Sequence, residues 1–161
     1  MKKEIMWMVF LFGCLTTQIV QAQVKGGPFI GYGSDVDQMG LGGIAEFTIN
    51  DHWSISPSLL FYFPESNSNY KFSWYEFNLN VNYYFFHEGP VHLYGIGGMN
   101  YLRSRRKEQF GDGRTFASGE VGMNLGIGSN FEVGKKFMPF MELKFVLGEP
   151  DQIAIFFGLK F

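Results

Sequence analysis

Three things are scarce in this chain, and each scarcity excludes a class of structure. Cys14 is the only cysteine among 161 residues, so no disulfide can form within the chain. Charged residues make up only 17% of the sequence, which argues against a disordered segment or a helical bundle. After residue 22 no apolar run reaches the roughly 18 residues that a membrane-spanning helix needs. Any insertion into a membrane must therefore use strands.

Glycine and aromatic residues are abundant instead. The chain has 21 glycines and 19 phenylalanines, and aromatic residues make up 19% of it. This composition is typical of a sheet with many turns and an apolar surface.

The N-terminus has the pattern of an export signal. Lys2 and Lys3 precede an apolar run over residues 5–13, and Ala22 provides a small residue before the expected cleavage. The apolar run is shorter than the roughly 20 residues of a helical span. We therefore predict a signal peptide at residues 1–22 and one domain at 23–161. Cys14 is either removed with the signal or, in the alternative interpretation, lipidated as in a lipoprotein.

Loss of residues 1–22 removes Lys2, Lys3 and Glu4. The 13 basic and 15 acidic residues of the whole chain then fall to 11 and 14, a net charge of −3. This imbalance gives no reason to expect a nucleic-acid partner.

The last nine residues show the strand pattern most clearly. Apolar side chains recur at every second position from Ile153 to Phe161, and only Phe156 interrupts the alternation. A period of two places one apolar face on a strand. The chain ends on this strand, as it would in a barrel whose last strand closes against its first.

The same alternation recurs along the chain. It predicts eight strands, at 24–34, 39–50, 53–63, 72–86, 91–102, 115–131, 137–147 and 153–161, with a bulge at Pro57. Short turns are expected at 50–52, 87–90 and 134–136, and longer loops at 64–71 and 103–114, with shorter ones at 35–38 and 148–152. Alternation of short and long connections is typical of membrane barrels.

Alternation alone does not say which face is outside. A soluble lipocalin-like barrel has its apolar side chains inside, whereas a membrane barrel has them outside. The polar faces carry few lysines, and aromatic residues such as Trp53, Tyr75 and Phe145 lie near the strand ends, where membrane barrels have aromatic girdles. We predict an all-β fold, an eight-stranded antiparallel up-and-down transmembrane β-barrel. The soluble barrel is the alternative.

The polar faces should then line the lumen. The predicted network comprises Glu46, Glu76, Asn78, Asn80, Glu120, Glu142, Lys144 and Lys160. Eight strands leave an interior only wide enough for side chains, and charges buried there must pair. The favoured interpretation is a fixed plug, and the alternative is a gate in a narrow porin-like channel.

A basic segment lies in the longest predicted loop. Arg103, Arg105, Arg106 and Lys107 follow one another closely, and arginine binds phosphate in a bidentate way. They are candidates for contact with lipopolysaccharide phosphates, and a solvated loop is the alternative.

Histidine and serine give little sign of catalysis. The spacing of His52 and Ser54 resembles that of outer-membrane lipid A deacylases, but Asp51 is too close in sequence to orient His52 as a triad acid would. His87 and His92 bracket a turn with only Glu88 nearby. We predict no catalytic residues, no cofactor and no metal site.

Three stretches carry a resemblance to a known family: the terminal IAIFFGLKF, the DHWSISPSLLFYF turn and strand, and the glycine-rich LYGIGGMNY. Over residues 24–161 the chain resembles the small OmpA/OmpX-type outer-membrane barrels, and more closely the outer membrane protein β-barrel domain family common in Bacteroidetes. The resemblance implies an outer-membrane location, lipid and lipopolysaccharide as surroundings, and a monomer. It also implies that Ile155, Phe157, Leu159 and Phe161 form the signal read by the barrel-assembly machinery.

The function expected from the residues and the resemblance is a non-enzymatic one, either structural or in surface interaction. The alternatives are a narrow channel, a membrane-embedded lipid-modifying enzyme and a soluble ligand-binding barrel.

Overall fold

The computed structural model describes residues 24–66, 70–108, 115–134, 136–149 and 151–161, and the predicted signal peptide lies outside these ranges. Eight long strands follow one another: β1 (Val24–Gly33), β2 (Gln38–Thr48), β3 (Trp53–Tyr62), β4 (Tyr70–Glu88), β5 (Val91–Glu108), β6 (Thr115–Phe131), β7 (Met138–Leu147) and β8 (Gln152–Lys160). A two-residue strand, Glu65–Ser66, pairs with the start of β4. Within these described ranges no helix is long and apolar enough to cross a bilayer.

Every long strand pairs antiparallel with its neighbours in sequence, and the ring is closed by the pairing of β1 with β8. In that ladder Ile30 lies opposite Phe157. Backbone hydrogen bonds between Gly26 and Phe161, at 3.0 and 3.1 Å, continue it to the last residue. The fold is therefore the predicted eight-stranded antiparallel up-and-down barrel. Closure pairs the backbone groups that an open sheet edge would leave exposed to hydrocarbon.

The two ends of the barrel differ. At one end, which we call the turn end, the connections are the short ones between β2 and β3, β4 and β5, and β6 and β7, and Val24 and Phe161 lie there too. At the other, the extension end, β4, β5 and β6 continue beyond their neighbours. The pairing of β6 with β7 begins only at Met123 opposite Leu147, whereas the pairing of β6 with β5 extends to Thr115 opposite Lys107.

This extension corrects the prediction of a loop from residue 103. Strand β5 runs to Glu108, so Arg103, Arg105, Arg106 and Lys107 lie on a strand. The segment was predicted to be a loop because it is polar, but outside a bilayer a strand can carry polar residues on both faces.

The bulge was also predicted at the wrong place. The β2–β3 register is the same on both sides of Pro57, with Ile44 opposite Ser58 and Phe47 opposite Ile55. The irregularity lies instead between Tyr84 and Phe86 on β4.

The apolar face of the sheet is on the outside of the ring. Leu79 is 45% exposed and Phe157 is 54% exposed, while Glu76 has no exposed surface. A soluble ligand-binding barrel would have the opposite arrangement. Aromatic pairs mark both rims of the apolar band. Trp53 lies 4.7 Å from Tyr83 at the turn end, and Phe61 lies 6.3 Å from Tyr75 at the extension end, measured between ring centroids.

Aromatic residues also fill part of the interior, which the polar pattern did not predict. Phe29, Phe140 and Phe156 are buried in the lumen, with Phe29 stacked on Phe156 at 4.5 Å. They pack with Leu60 in one apolar cluster. Glycine makes room for them. A Cβ atom added at Gly31 would lie 2.9 Å from side-chain atoms of both Leu60 and Phe156.

Gly31→Val should therefore destabilise the barrel by about 1–3 kcal/mol, because overpacking forces displaced side chains in a filled interior. The measurement is the unfolding free energy of the refolded protein in denaturant. Gly43→Val is the matched control, since a Cβ at Gly43 meets nothing within 4 Å. Equal losses for the two variants would contradict the packing described here.

Candidate functional site: the lumen and its two mouths

Glu46 is the centre of a buried network near the turn end. Its carboxylate accepts hydrogen bonds from Lys160 Nζ at 2.8 Å, from Ser54 Oγ at 2.5 Å and from the hydroxyl of Tyr84. Lys160 also donates to Asn130 Oδ1 at 3.1 Å, and Asn130 in turn donates to Tyr84 at 2.8 Å. The charges of Glu46 and Lys160 are thus paired with each other and hydrogen-bonded to neighbouring polar groups, as buried charges require.

A second network, rich in amides, lies nearer the extension end. Glu76 accepts from the hydroxyl of Tyr62 and from Asn78 Nδ2, the latter at 2.9 Å. Asn78 Oδ1 accepts from Asn100 at 3.0 Å and from Asn124 at 2.7 Å, and Asn124 donates also to Asn80 at 2.7 Å. These bonds join β4, β5 and β6 across the interior.

Lys144 and Glu142 form a much weaker pair. Lys144 has no exposed surface, yet its Nζ lies 3.9 Å from Glu142 Oε2 and neither atom has a hydrogen-bond partner among the described residues. The ammonium lies 3.5 Å from the centroid of the Phe156 ring, a cation–π contact. Glu142 retains one good bond, from the hydroxyl of Tyr94 at 3.0 Å.

The structure thus brings Glu46, Glu76, Asn78, Asn80, Glu142, Lys144 and Lys160 into the lumen, each at most 3% exposed. Glu120 is different, and its prediction is wrong. Glu120 lies an even number of residues from Asn124, so the alternation places it on the inward face. However, it lies on the part of β6 beyond the end of β7 and is exposed at the extension-end mouth. The alternation predicts which face a residue lies on, but it does not predict where the barrel ends.

The arginines of β5 divide between two faces. Arg103 and Arg105 lie on the same outward face as Met99, which is 59% exposed. Both are further towards the extension end than Met99. Arg106 has the opposite parity, and its guanidinium carbon lies 5.3 Å from the Phe116 ring centroid. The side chain of Lys107 lies outside the described part of the structure.

All three histidines of the chain meet at the turn-end mouth. The ring of His87 lies 5.1 Å from that of His92 and 6.1 Å from that of His52, centroid to centroid. They line a cavity of about 490 Å³ whose floor includes Glu46 and Tyr84. Partial desolvation, and the nearby imidazoles of His92 and His52, lower the pKa of His87 below its usual range. Sequence reasoning placed His87 and His92 at one turn, predicted no metal site there, and did not connect them with His52.

No catalytic pair connects His52 with Ser54. Ser54 is fully buried and its hydroxyl donates to Glu46, whereas His52 is exposed on the turn and its ring lies 6.1 Å from that of Tyr83. A nucleophilic serine needs a base within hydrogen-bond reach and access to substrate. Ser54 instead belongs to the lumen network.

Three of the predicted assembly-signal residues lie on the outer face of β8, and the fourth, Phe161, follows the strand directly. Ile155, Phe157, Leu159 and Phe161 are between 41% and 67% exposed, and the residues between them point into the lumen.

Several solved structures share this architecture. The N-terminal β-barrel domain of Pseudomonas aeruginosa OprF matches with a TM-score of 0.68 and 16% identity, over 88% of this chain and 98% of that one. Ail of Yersinia pestis, in complex with the heparin analogue sucrose octasulfate, matches with a TM-score of 0.63 and 14% identity, over 86% and 95% of the two chains. Neisserial surface protein A matches with a TM-score of 0.60 and 14% identity, over 85% and 92%.

No protein-family model matches the chain, and no curated protein matches it in sequence. The structural likeness, at these low identities, concerns the fold. Together with the apolar outer face it defines the chain as a small eight-stranded transmembrane β-barrel, and it confirms the resemblance to the OmpA/OmpX type at the level of fold.

Proposed function

We propose that this chain is a non-enzymatic protein of the bacterial outer membrane, whose side-chain-filled barrel is an anchor for a surface-exposed sheet. The observation that carries the proposal is the combination of an apolar exterior with an interior of buried, mutually bonded side chains. The similar structures include a major outer membrane protein of Thermus thermophilus, which supports the location. Membrane barrels have short turns on the periplasmic side and longer segments on the outer side. The turn end should therefore face the periplasm, and the extension of β4–β6 should face outward.

A filled lumen should not conduct ions. Leu60, Tyr94, Phe140 and Phe156 are all fully buried inside the ring, where they obstruct a path along the barrel axis. Planar-bilayer recording on the purified protein tests this. We expect a baseline without steady openings, and reproducible single-channel steps would favour the porin-like alternative instead.

We further propose that Arg103 and Arg105 contact phosphate groups of lipopolysaccharide. Both point outward. Arg103 lies directly opposite the rim aromatic Tyr75, and Arg105 lies two residues further towards the extension end, at the level where lipid headgroups begin. Guanidinium groups bind phosphate through paired charge-assisted hydrogen bonds. Ail, which shares the fold, has been solved with a polysulfated sugar, so a barrel of this shape can present sites for polyanions.

Replacing both outward arginines, as Arg103→Ser with Arg105→Ser, should weaken lipopolysaccharide binding about tenfold, because two charge-assisted phosphate contacts are lost. Binding to labelled lipopolysaccharide in mixed micelles gives the measurement. The matched control is Arg106→Ser, which removes the same charge from the inward face. It is compared with the single variants Arg103→Ser and Arg105→Ser. Equal effects of all three single changes would mean that only net charge matters.

The outward residues of β8 are proposed to be the assembly signal. Removing Phe161 should slow insertion by the barrel-assembly machinery while leaving spontaneous refolding in detergent nearly unchanged. Insertion assays with and without the machinery separate the two effects, and equal slowing in both would assign Phe161 a purely structural role.

A further inference from the structure

The bulge on β4 changes the direction in which His87 points. Strict alternation would put His87 on the outer face, with Leu79, Val81 and Tyr83. The register shift between Tyr84 and Phe86 instead places His87 directly opposite His92, facing the mouth. Bulges commonly re-aim a side chain next to a functional site.

The resulting histidine pair has the spacing of a chelate. Two imidazoles bound to one tetrahedral ion, at nitrogen–metal distances of about 2.0–2.1 Å, have ring centroids roughly 5 Å apart. The rings of His87 and His92 are 5.1 Å apart. The third histidine, His52, reaches the same space from the neighbouring turn, with its ring 6.1 Å from that of His87.

Acidic groups lie beside the imidazoles. Glu132 Oε1 is 3.7 Å from His92 Nε2, and Asp51 lines the same cavity. A carboxylate next to a ligating histidine orients the ring and raises its basicity. Lys25 also lines the cavity, and its positive charge opposes the binding of a cation. The carboxylates of Glu132 and Asp51 outweigh this single charge. The other nearby lysine, Lys160, is already paired with Glu46.

We propose that the turn-end mouth binds one divalent transition-metal ion, with His87 and His92 as the chelating pair and His52 as a third ligand. Imidazole ligands favour zinc, copper and nickel over magnesium or calcium. Within the described ranges no three histidine, cysteine or carboxylate side chains already converge on one point. The third ligand is therefore brought in by rotation of His52, which is exposed on its turn and whose ring gives up only its contact with Tyr83, at 6.1 Å between centroids.

The test uses untagged, refolded barrel titrated with Co²⁺, followed by competition with Zn²⁺. A saturable visible absorption with one equivalent of Co²⁺ is expected, and Zn²⁺ should abolish it. His87→Gln and His92→Gln should each weaken binding at least about tenfold because each removes a ligand, while Glu132→Gln should weaken it by roughly tenfold through the orientation of His92. His52→Gln should reduce both affinity and the absorption intensity of the tetrahedral ion.

Glu120→Gln, at the opposite mouth, is the control and should bind as the unchanged protein does. Carbethoxylation of histidines on the unchanged protein gives a readout that needs no variant, with Zn²⁺ expected to protect His87 and His92 from the reagent. Binding that survives loss of all three histidines, or equal labelling with and without Zn²⁺, would overturn the proposal.

Discussion

Lys160→Met should destabilise the barrel by about 3–5 kcal/mol, the largest loss we expect from a single change in the lumen. The substitution leaves the carboxylate of Glu46 buried without its counter-charge, and a buried charge deprived of its partner is strongly destabilising. Asn130 Oδ1 loses its donor at the same time. The measurement is the free energy of unfolding in denaturant, followed by the different gel migration of folded and unfolded barrel.

Lys144→Met is the matched control for this prediction. Lys144 is as deeply buried as Lys160, but it makes no hydrogen bond among the described residues and lies 3.9 Å from its carboxylate. We expect a loss of less than about half that of Lys160→Met, since a poorly placed buried pair gains little over its desolvation cost. Equal losses for the two lysines would show that burial alone, and not the geometry around Glu46, sets the effect.

The double variant Lys160→Met with Glu46→Gln separates the charge from the packing. Removing both charges leaves only polar groups to satisfy, and the amide oxygen introduced by Glu46→Gln can still accept from Ser54 and Tyr84. Stability should therefore recover by more than half of the loss caused by Lys160→Met. No recovery would mean that Lys160 acts chiefly through its alkyl chain.

Leu79→Arg should cost about 2–4 kcal/mol, the range for arginine on the lipid face at the bilayer midplane. Leu79 lies on the outer face of β4, midway between the rim aromatics Tyr75 and Tyr83. The introduced guanidinium would have to reach a headgroup or thin the bilayer. Unfolding in phospholipid vesicles gives the measurement, since detergent micelles adapt more easily to a charge.

The control for Leu79→Arg is Met39→Arg, at the extension-end tip of β2. Met39 is 49% exposed, close to the 45% of Leu79, but it lies at the rim, where arginine costs only about 0–1 kcal/mol. If Met39→Arg were as costly as Leu79→Arg, the outer face would not show the depth dependence that a bilayer imposes.

Much of the fold could be predicted from the sequence because a barrel strand has two faces in very different environments. Lipid on one side and a crowded lumen on the other enforce the period of two, so the alternation predicts that Asn78 and Asn80 face the lumen. The terminal strand was equally plain, and closure of the ring followed from the need to pair every backbone group.

The rest could not be predicted because it depends on where strands end and how they shift. Arg103 and Arg105 were placed in a loop since polarity does not distinguish a loop from a strand outside the bilayer. Phe85 and Phe86 are both apolar, so the pattern around them hides the bulge that brings His87 beside His92. Phe156 was noticed only as an interruption, but it is a buried member of the lumen cluster.

The account depends on the apolar residues facing lipid while the carboxylates, amides and amines lie within. Nitroxide labels placed one at a time at residues 77 to 82, in a chain with Cys14→Ser, test this most directly in phospholipid vesicles. Accessibility to oxygen, which concentrates in the bilayer, should be high at 77, 79 and 81 and low at 78, 80 and 82. Uniform accessibility, or the reverse alternation, would contradict the account.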